Sequence, residues 1–141
     1  MDRRCLIAGC GYVGRRLAER MRPAWRVVAL ARSPGSVAAL RAAGIETIDA
    51  DLDAPHLPGE LQASADGAAI AYLAPSQDSG TNDARLARFL DALGEARPTV
   101  FLYMSTTGVY GDAAGATVDE SSPTEPSNDR SRRRVAAEQL T

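Results

Sequence analysis

The apolar residues of this chain gather into short unbroken runs, and the polar residues between them fall at helical spacing. Five runs read as strands: Arg4–Ala8, Trp25–Ala31, Ile45–Ile48, Ala68–Ala74 and Thr99–Ser105. Runs of this kind, without alternation, suit parallel strands buried on both faces. Gly11–Met21 reads as a helix, with Val13, Leu17 and Met21 recurring on one face and Pro23 closing it. Ser33 is placed to cap a second helix, Pro34 suits its first turn, and Gly44 suits its end. Thr81 or Asn82 caps a third helix running through Ala96, with Leu86, Phe89, Leu90 and Leu93 as its apolar stripe. Asn128–Leu140 is a final helix. "DADLDAPHLPGEL" after the third strand reads as a loop with at most a short helix, and Thr106–Ser127 reads as a long loop. Strands alternating with helices predict an α/β architecture with a parallel sheet and right-handed crossovers.

The stretch "AGCGYVGRRLAERM" joins the first strand to the first helix. Gly9, Gly11 and Gly14 follow the G-x-G-x-x-G spacing in the strand–turn–helix context that this motif requires. Gly9 permits the tight turn, Gly11 lets a diphosphate approach the backbone, and Gly14 lets helix and strand pack closely. The amides of Tyr12 and Val13, at the helix start, then face the phosphates together with the helix dipole. The expected fold is therefore a Rossmann-type three-layer α/β/α sandwich. Its sheet is mostly parallel, of about five strands in the order 3-2-1-4-5. A single dinucleotide-binding domain is expected over 1–141, with no separate substrate domain.

The second strand ends "ALARS", with Ala31 where an NAD enzyme usually carries an acid for the ribose hydroxyls. Arg32 and Ser33 follow. A guanidinium is planar, permanently charged and able to grip a phosphate bidentately, which favours NADP over NAD. Asp51 and Leu52, past the third strand, are expected at the adenine edge. Ala74, with Pro75 behind it, is expected to line the cofactor slot.

At "YMSTTGVYGD" (103–112) the sequence becomes more specific. Together with the glycine turn, the Asp51-Leu52 pair, "VDESSPTEP" and "RRRVAAEQ", it resembles the extended short-chain dehydrogenases/reductases, the NAD(P)-dependent epimerase/dehydratase group. The resemblance runs from Cys5 to Gln139 and implies the N-terminal, cofactor-binding part of such an enzyme. It implies that Thr106 hydrogen-bonds the reacting oxygen of a small-molecule substrate, with Ser105 and Thr107 beside it. Tyr110 falls in the structural "VYG", and Glu120 falls at a loop acid that helps to organise the site. The family carries Tyr-x-x-x-Lys on the last helix, and here the two positions are Arg130 and Arg134. Arginine is effectively never deprotonated, so Arg130 can stabilise charge but cannot act as a general base. Arg134 keeps the hydrogen bond to the nicotinamide ribose that the family's lysine makes. The ordinary proton relay is absent, and no other Tyr/Lys pair can replace it, because all sixteen basic residues are arginine. The implied function is an NAD(P)-binding oxidoreductase or epimerase/dehydratase-like protein. A non-catalytic NADP-sensing module and a fragment of a longer enzyme stand as alternatives.

Composition narrows the partners. With 141 residues, 45% apolar and 24% charged, the chain can bury a core without metal or disulfide. A formal charge of −2 gives no basis for attraction to nucleic acid or membranes. The opening segment lacks a signal peptide's apolar stretch, so a cytoplasmic setting is expected. Cys5 and Cys10 match neither a redox pair nor a metal site, and no metal is expected. Cys10 sits where a helix N-terminus could lower its pKa, but a plain small loop residue suits the position too. His56, between prolines, reads as solvated. Apolar surface on the last strand and helix points to possible homo-oligomers.

Overall fold

A computed structural model describes residues 3–141. The described residues divide into two compact units, 3–75 with 88–104, and 76–87 with 105–141.

The first unit holds a five-stranded parallel sheet in the order β3-β2-β1-β4-β5. Its strands are β1 (Arg4–Ala8), β2 (Arg26–Ala31), β3 (Glu46–Asp49), β4 (Ala69–Tyr72) and β5 (Val100–Tyr103). Central β1 is flanked by β2 and β4, and its Leu6, Ile7 and Ala8 are wholly buried. Residues pointing to alternate faces build two cores from one run of sequence. On one face Cys5, Ile7, Val27, Ala29 and Ala31 pack with Ala18 of α1 (Tyr12–Met21) and with Val37 and Leu40 of α2 (Pro34–Ala42). On the other, Tyr72 of β4 gathers an aromatic group. Its ring centroid lies 5.1 Å from that of Phe89 and 6.4 Å and 6.0 Å from those of Phe101 and Tyr103. A short helix α3 (Glu60–Ala65) buries Leu61 and Ala65. It falls in the region expected to hold at most a short helix.

The edge strands depart from the expectation of burial on both faces. β5 exposes Val100 and Leu102 while its alternate residues are half-buried, and β3 buries only Ile48 fully. The apolar run of β5 comes from "TVFLYMS", and nothing in that run distinguishes an edge from a centre. α1 also turns a different face inward. Gly14 and Ala18 are its buried residues, with Leu17 and Met21 packed beside them, whereas Val13 is 48% exposed. The small residues face the sheet because they let the helix axis come close.

α4 (Ala84–Leu93) is shorter than the periodicity of 81–96 predicts. Its cap is neither Thr81 nor Asn82. Asp83 is 1% exposed, and its Oδ1 accepts the Leu86 amide at 3.0 Å while its carbonyl accepts the Ala87 amide. Capping by the next residue moves the start of the helix by one or two positions. Leu86, Phe89 and Leu93 of its stripe are buried as expected.

The second unit carries a 3-10 turn (Thr107–Tyr110) and α5 (Asp129–Glu138), capped by Asn128, whose side chain accepts the Ser131 amide at 2.9 Å. Gly111 closes the 3-10 turn at φ +68°, where a Cβ would lie 2.0 Å from the Glu125 carbonyl oxygen. That approach gives the "VYG" glycine a physical reason. The loop between is held by Asp119, not Glu120. The Asp119 carboxylate accepts from the Ser121 amide and from the hydroxyls of Ser121 and Ser122. These bonds hold its pKa below the ordinary range, and Glu120 is exposed.

Candidate functional site

The glycine turn forms the mouth of a cleft of about 440 Å³ in the first unit. Gly9 adopts φ +90°, and a Cβ there would sit 2.4 Å from the Ala74 amide nitrogen. The turn after β1 is thereby pressed against the turn after β4. A Cβ on Gly14 would lie 2.8 Å from the Gly9 carbonyl oxygen, so α1 packs directly onto the turn. Gly11 has nothing within 4 Å of its missing Cβ and leaves open space in front of the helix.

That helix start is bare. Gly11 supplies no side-chain cap and the first turn contains no acid. The Gly11 carbonyl accepts from Arg15, so the amides of Tyr12, Val13 and Gly14 precede the first intrahelical bond. Their positive end of the helix dipole faces the cleft, which Gly9 through Gly14 line. Tyr12 is 74% exposed beside it, with the Arg16 guanidinium 3.6 Å over its ring.

Opposite stand the tip of β2 and the start of α2. Leu30, Ala31, Arg32, Ser33 and Ser36 line the cleft, and Leu73, Pro75 and Met104 complete it. Ser33 caps α2 as expected, its Oγ accepting the Ser36 amide at 3.2 Å and donating to Ser36 Oγ at 2.8 Å. Arg32 Nη1 lies 4.0 Å from Asp51 Oδ1 and 3.7 Å from Asp53 Oδ2, with its side chain 64% exposed. Asp51 Oδ1 also accepts the Asp53 amide at 2.9 Å, closing a small Asx turn. The Leu52 carbonyl accepts from the Arg88 guanidinium. Ala74 is buried behind Gly9, so at this end the wall is Leu73 and Pro75.

Cys10 belongs to the same lining and is buried. Burial pushes its thiol up and the Arg15 charge offsets this only in part, so the helix-terminus effect considered for it does not prevail. Cys5 is also a free, buried thiol, raised by burial.

In the second unit, Thr106 opens the 3-10 turn, its Oγ1 accepting the Gly108 amide at 3.3 Å. Ser105 donates to the Glu138 carboxylate. Ser105, Thr106, Thr107, Val109, Tyr110 and Glu138 line a shallow cavity of about 320 Å³. On α5 Arg130 is exposed and Arg134 half-buried, four residues apart and so on one helix face. Beside them on α5, Arg132 pairs with Asp129 at 2.8 Å, and buried Arg133 donates to the Gly80 carbonyl at 2.6 Å and to Ser76 Oγ at 3.3 Å.

Sequence reasoning missed several of these residues. Ser36 was discoverable, because it stands three positions after the Ser33 cap, where capping boxes place their second side chain. Met104 and Cys10 carry no comparable signal. Arg133 looks like any member of "RSRRRV", and only its burial separates it from the others.

A parallel sheet in this order, with a bare helix terminus and a cleft at the strand ends beside β1, defines a dinucleotide-binding α/β fold. A family model described as NAD(P)H-binding matches residues 9–140, and the chain belongs to that family. Among solved structures, a functionally unknown conserved protein from Silicibacter pomeroyi is 35% identical with a TM-score of 0.78. That match covers 98% of this chain and 47% of the other. A protein from Methylobacillus flagellatus, described as a candidate NAD-dependent epimerase/dehydratase, is 26% identical with a TM-score of 0.79, covering 99% and 50%. The UDP-glucuronic acid 4-epimerase of Bacillus cereus, solved with NAD, shares the fold at 20% identity and a TM-score of 0.74, covering 97% and 50%. This chain therefore spans about half the length of the structures it matches. No curated protein matches it. No helix among the described residues is long and apolar enough to cross a membrane.

Proposed function

We propose that residues 1–141 serve as a dinucleotide-binding domain that prefers NADP(H) to NAD(H), within an oxidoreductase or an epimerase/dehydratase-like enzyme. The observation that carries this reading is the uncapped start of α1 opening onto a cleft whose far wall ends in Arg32. In this reading the amides of Tyr12, Val13 and Gly14 hold the diphosphate, Gly11 leaves room for it, and Gly9, whose carbonyl accepts the Gly11 amide at 2.9 Å, keeps the turn tight. Arg32 and Ser33, joined by Ser36, hold a 2′-phosphate. Asp51 and Leu52 meet the adenine edge, and Ala74 backs the slot through Gly9.

A dinucleotide held there would supply the chemistry of hydride transfer. The chain's own residues would orient the partner: Thr106 donates to a reacting oxygen, and Arg130 stabilises negative charge developing there. Arg134 hydrogen-bonds the nicotinamide ribose. Neither arginine trades protons, so water or a carboxylate such as Asp129 must do so. The substitution of both dyad positions supports a second reading, a module that binds NADP without turnover. A cytoplasmic setting is part of the proposal and suits the two free thiols. So is association of copies, for which the exposed Val100 and Leu102 of edge strand β5 offer apolar surface.

Titration with NADPH and NADH by nucleotide fluorescence, followed by assays with aldehydes, ketones and nucleotide sugars, tests both readings. Binding of NADPH with turnover supports the enzyme, and binding alone supports the module. Failure to bind either nucleotide removes both.

A further inference from the structure

We propose that Asp51 and Asp53 act as counter-charges to Arg32 and set how strongly this chain distinguishes a dinucleotide bearing a 2′-phosphate from one bearing a 2′-hydroxyl. The inference rests on the proposed dinucleotide site and concerns the two carboxylates that approach its guanidinium.

The geometry is that of an attraction without a bond. The two nitrogen–oxygen distances, 4.0 Å and 3.7 Å, fall within ion-pair range but beyond hydrogen-bonding range. Arg32 is 64% exposed at its side chain, Asp51 46% and Asp53 42%, so solvent screens both pairs and neither restrains the guanidinium strongly. The carboxylates therefore contribute little to holding Arg32 in place. The Asp51 charge is held where it stands, because its Oδ1 is tied to the Asp53 amide by the Asx turn.

A phosphate reaching Arg32 meets this charge. At hydrogen-bond distance from the guanidinium it would stand on the order of 7 Å from the carboxylates, inside one Debye length at physiological salt. It carries close to two negative charges, so it is repelled by both acids. A 2′-hydroxyl carries no charge and meets no such repulsion. The pair consequently narrows the gap between the two dinucleotides that Arg32 alone would open. The acids stand past the end of β3, where a reading of the tip of β2 alone does not find them.

Asp53→Asn and Asp51→Asn test this directly, since each removes a charge while keeping size and an oxygen acceptor, and Asn at 51 preserves the Asx turn. The readout is the ratio of the NADH to the NADPH dissociation constant, measured by fluorescence titration of the full chain at low and high salt. Each substitution is expected to raise that ratio about threefold at physiological ionic strength and the double substitution about tenfold, with the gain shrinking toward 1 M salt. A ratio that stays level or falls in both variants, while Arg32→Ala still lowers it, overturns the counter-charge role and leaves the dinucleotide site standing. An Arg32→Ala variant that weakens both nucleotides equally, or wild-type protein that binds neither, overturns the site and the counter-charge role together.

Discussion

Gly9 and Ala74 meet backbone to backbone, so closely that a single methyl on Gly9 would lie 2.4 Å from the Ala74 nitrogen. Contact between the turn after β1 and the turn after β4 sets the depth of the cleft between them. Gly9 also adopts φ +90°, which an L side chain rarely tolerates. Gly9→Ala is therefore expected to destabilise the protein by about 2–4 kcal/mol and to abolish NADPH binding. Urea unfolding and nucleotide titration check the two effects; a variant of wild-type stability with normal binding contradicts the account of the turn.

Arg32→Ala should weaken NADPH at least tenfold and NADH less than twofold, because a charge-assisted phosphate contact is lost from one ligand only. Paired titrations of wild type and variant measure this. The effect should diminish as salt is raised, since the contact lies near the surface.

Arg133 is 5% exposed and donates to the Gly80 carbonyl and to Ser76 Oγ. Removing it strands those acceptors, so Arg133→Ala should cost about 2–4 kcal/mol in urea unfolding. Arg132→Ala, which breaks only an exposed pair three residues apart on the helix, should cost less than about 1 kcal/mol. Equal losses in the two variants would show that the burial of Arg133 contributes nothing.

Arg130→Tyr combined with Arg134→Lys restores a proton-trading pair to α5. If the proton relay is what the chain lacks, NADPH-dependent turnover with carbonyl substrates should appear or rise by at least tenfold. An unchanged rate, with NADPH still bound, would show that the proton relay is not what limits turnover.

Burial raises the pKa of both thiols, so the reactive thiolate is scarce at pH 7 and grows only well into the alkaline range. Alkylation of native protein by iodoacetamide should be slow at pH 7, and NADPH should slow it further at Cys10, which lines the cleft. Mass spectrometry of the labelled chain reads both sites. Rapid labelling of Cys10 at pH 7 would contradict its environment.

What could be read from the sequence depended on how local its cause was. The cap at Ser33 and the closing role of Gly44 follow from residues that act on their immediate neighbours, and both hold in the structure; the strand order follows from the fold that the glycine turn implies, and it holds too. The glycine turn was legible for the same reason. Three features were not. Which residues of β5 face outward could not be read, because its apolar run has the same composition as a central strand. The true cap at Asp83 competes with Thr81 and Asn82, and its burial decides the matter. The approach of Asp51 and Asp53 to Arg32 joins positions about twenty residues apart and arises only when β3 pairs with β2.

The central claim is that the bare start of α1 and the tip of β2 hold one dinucleotide between them. Amide chemical-shift mapping on ¹⁵N-labelled protein tests it most directly. On addition of NADPH the account predicts saturable shifts concentrated at Gly9–Gly14 and at Arg32–Ser36, with NADH reproducing the first set and leaving the second nearly still. Shifts confined to other parts of the chain, or none at all, would contradict it.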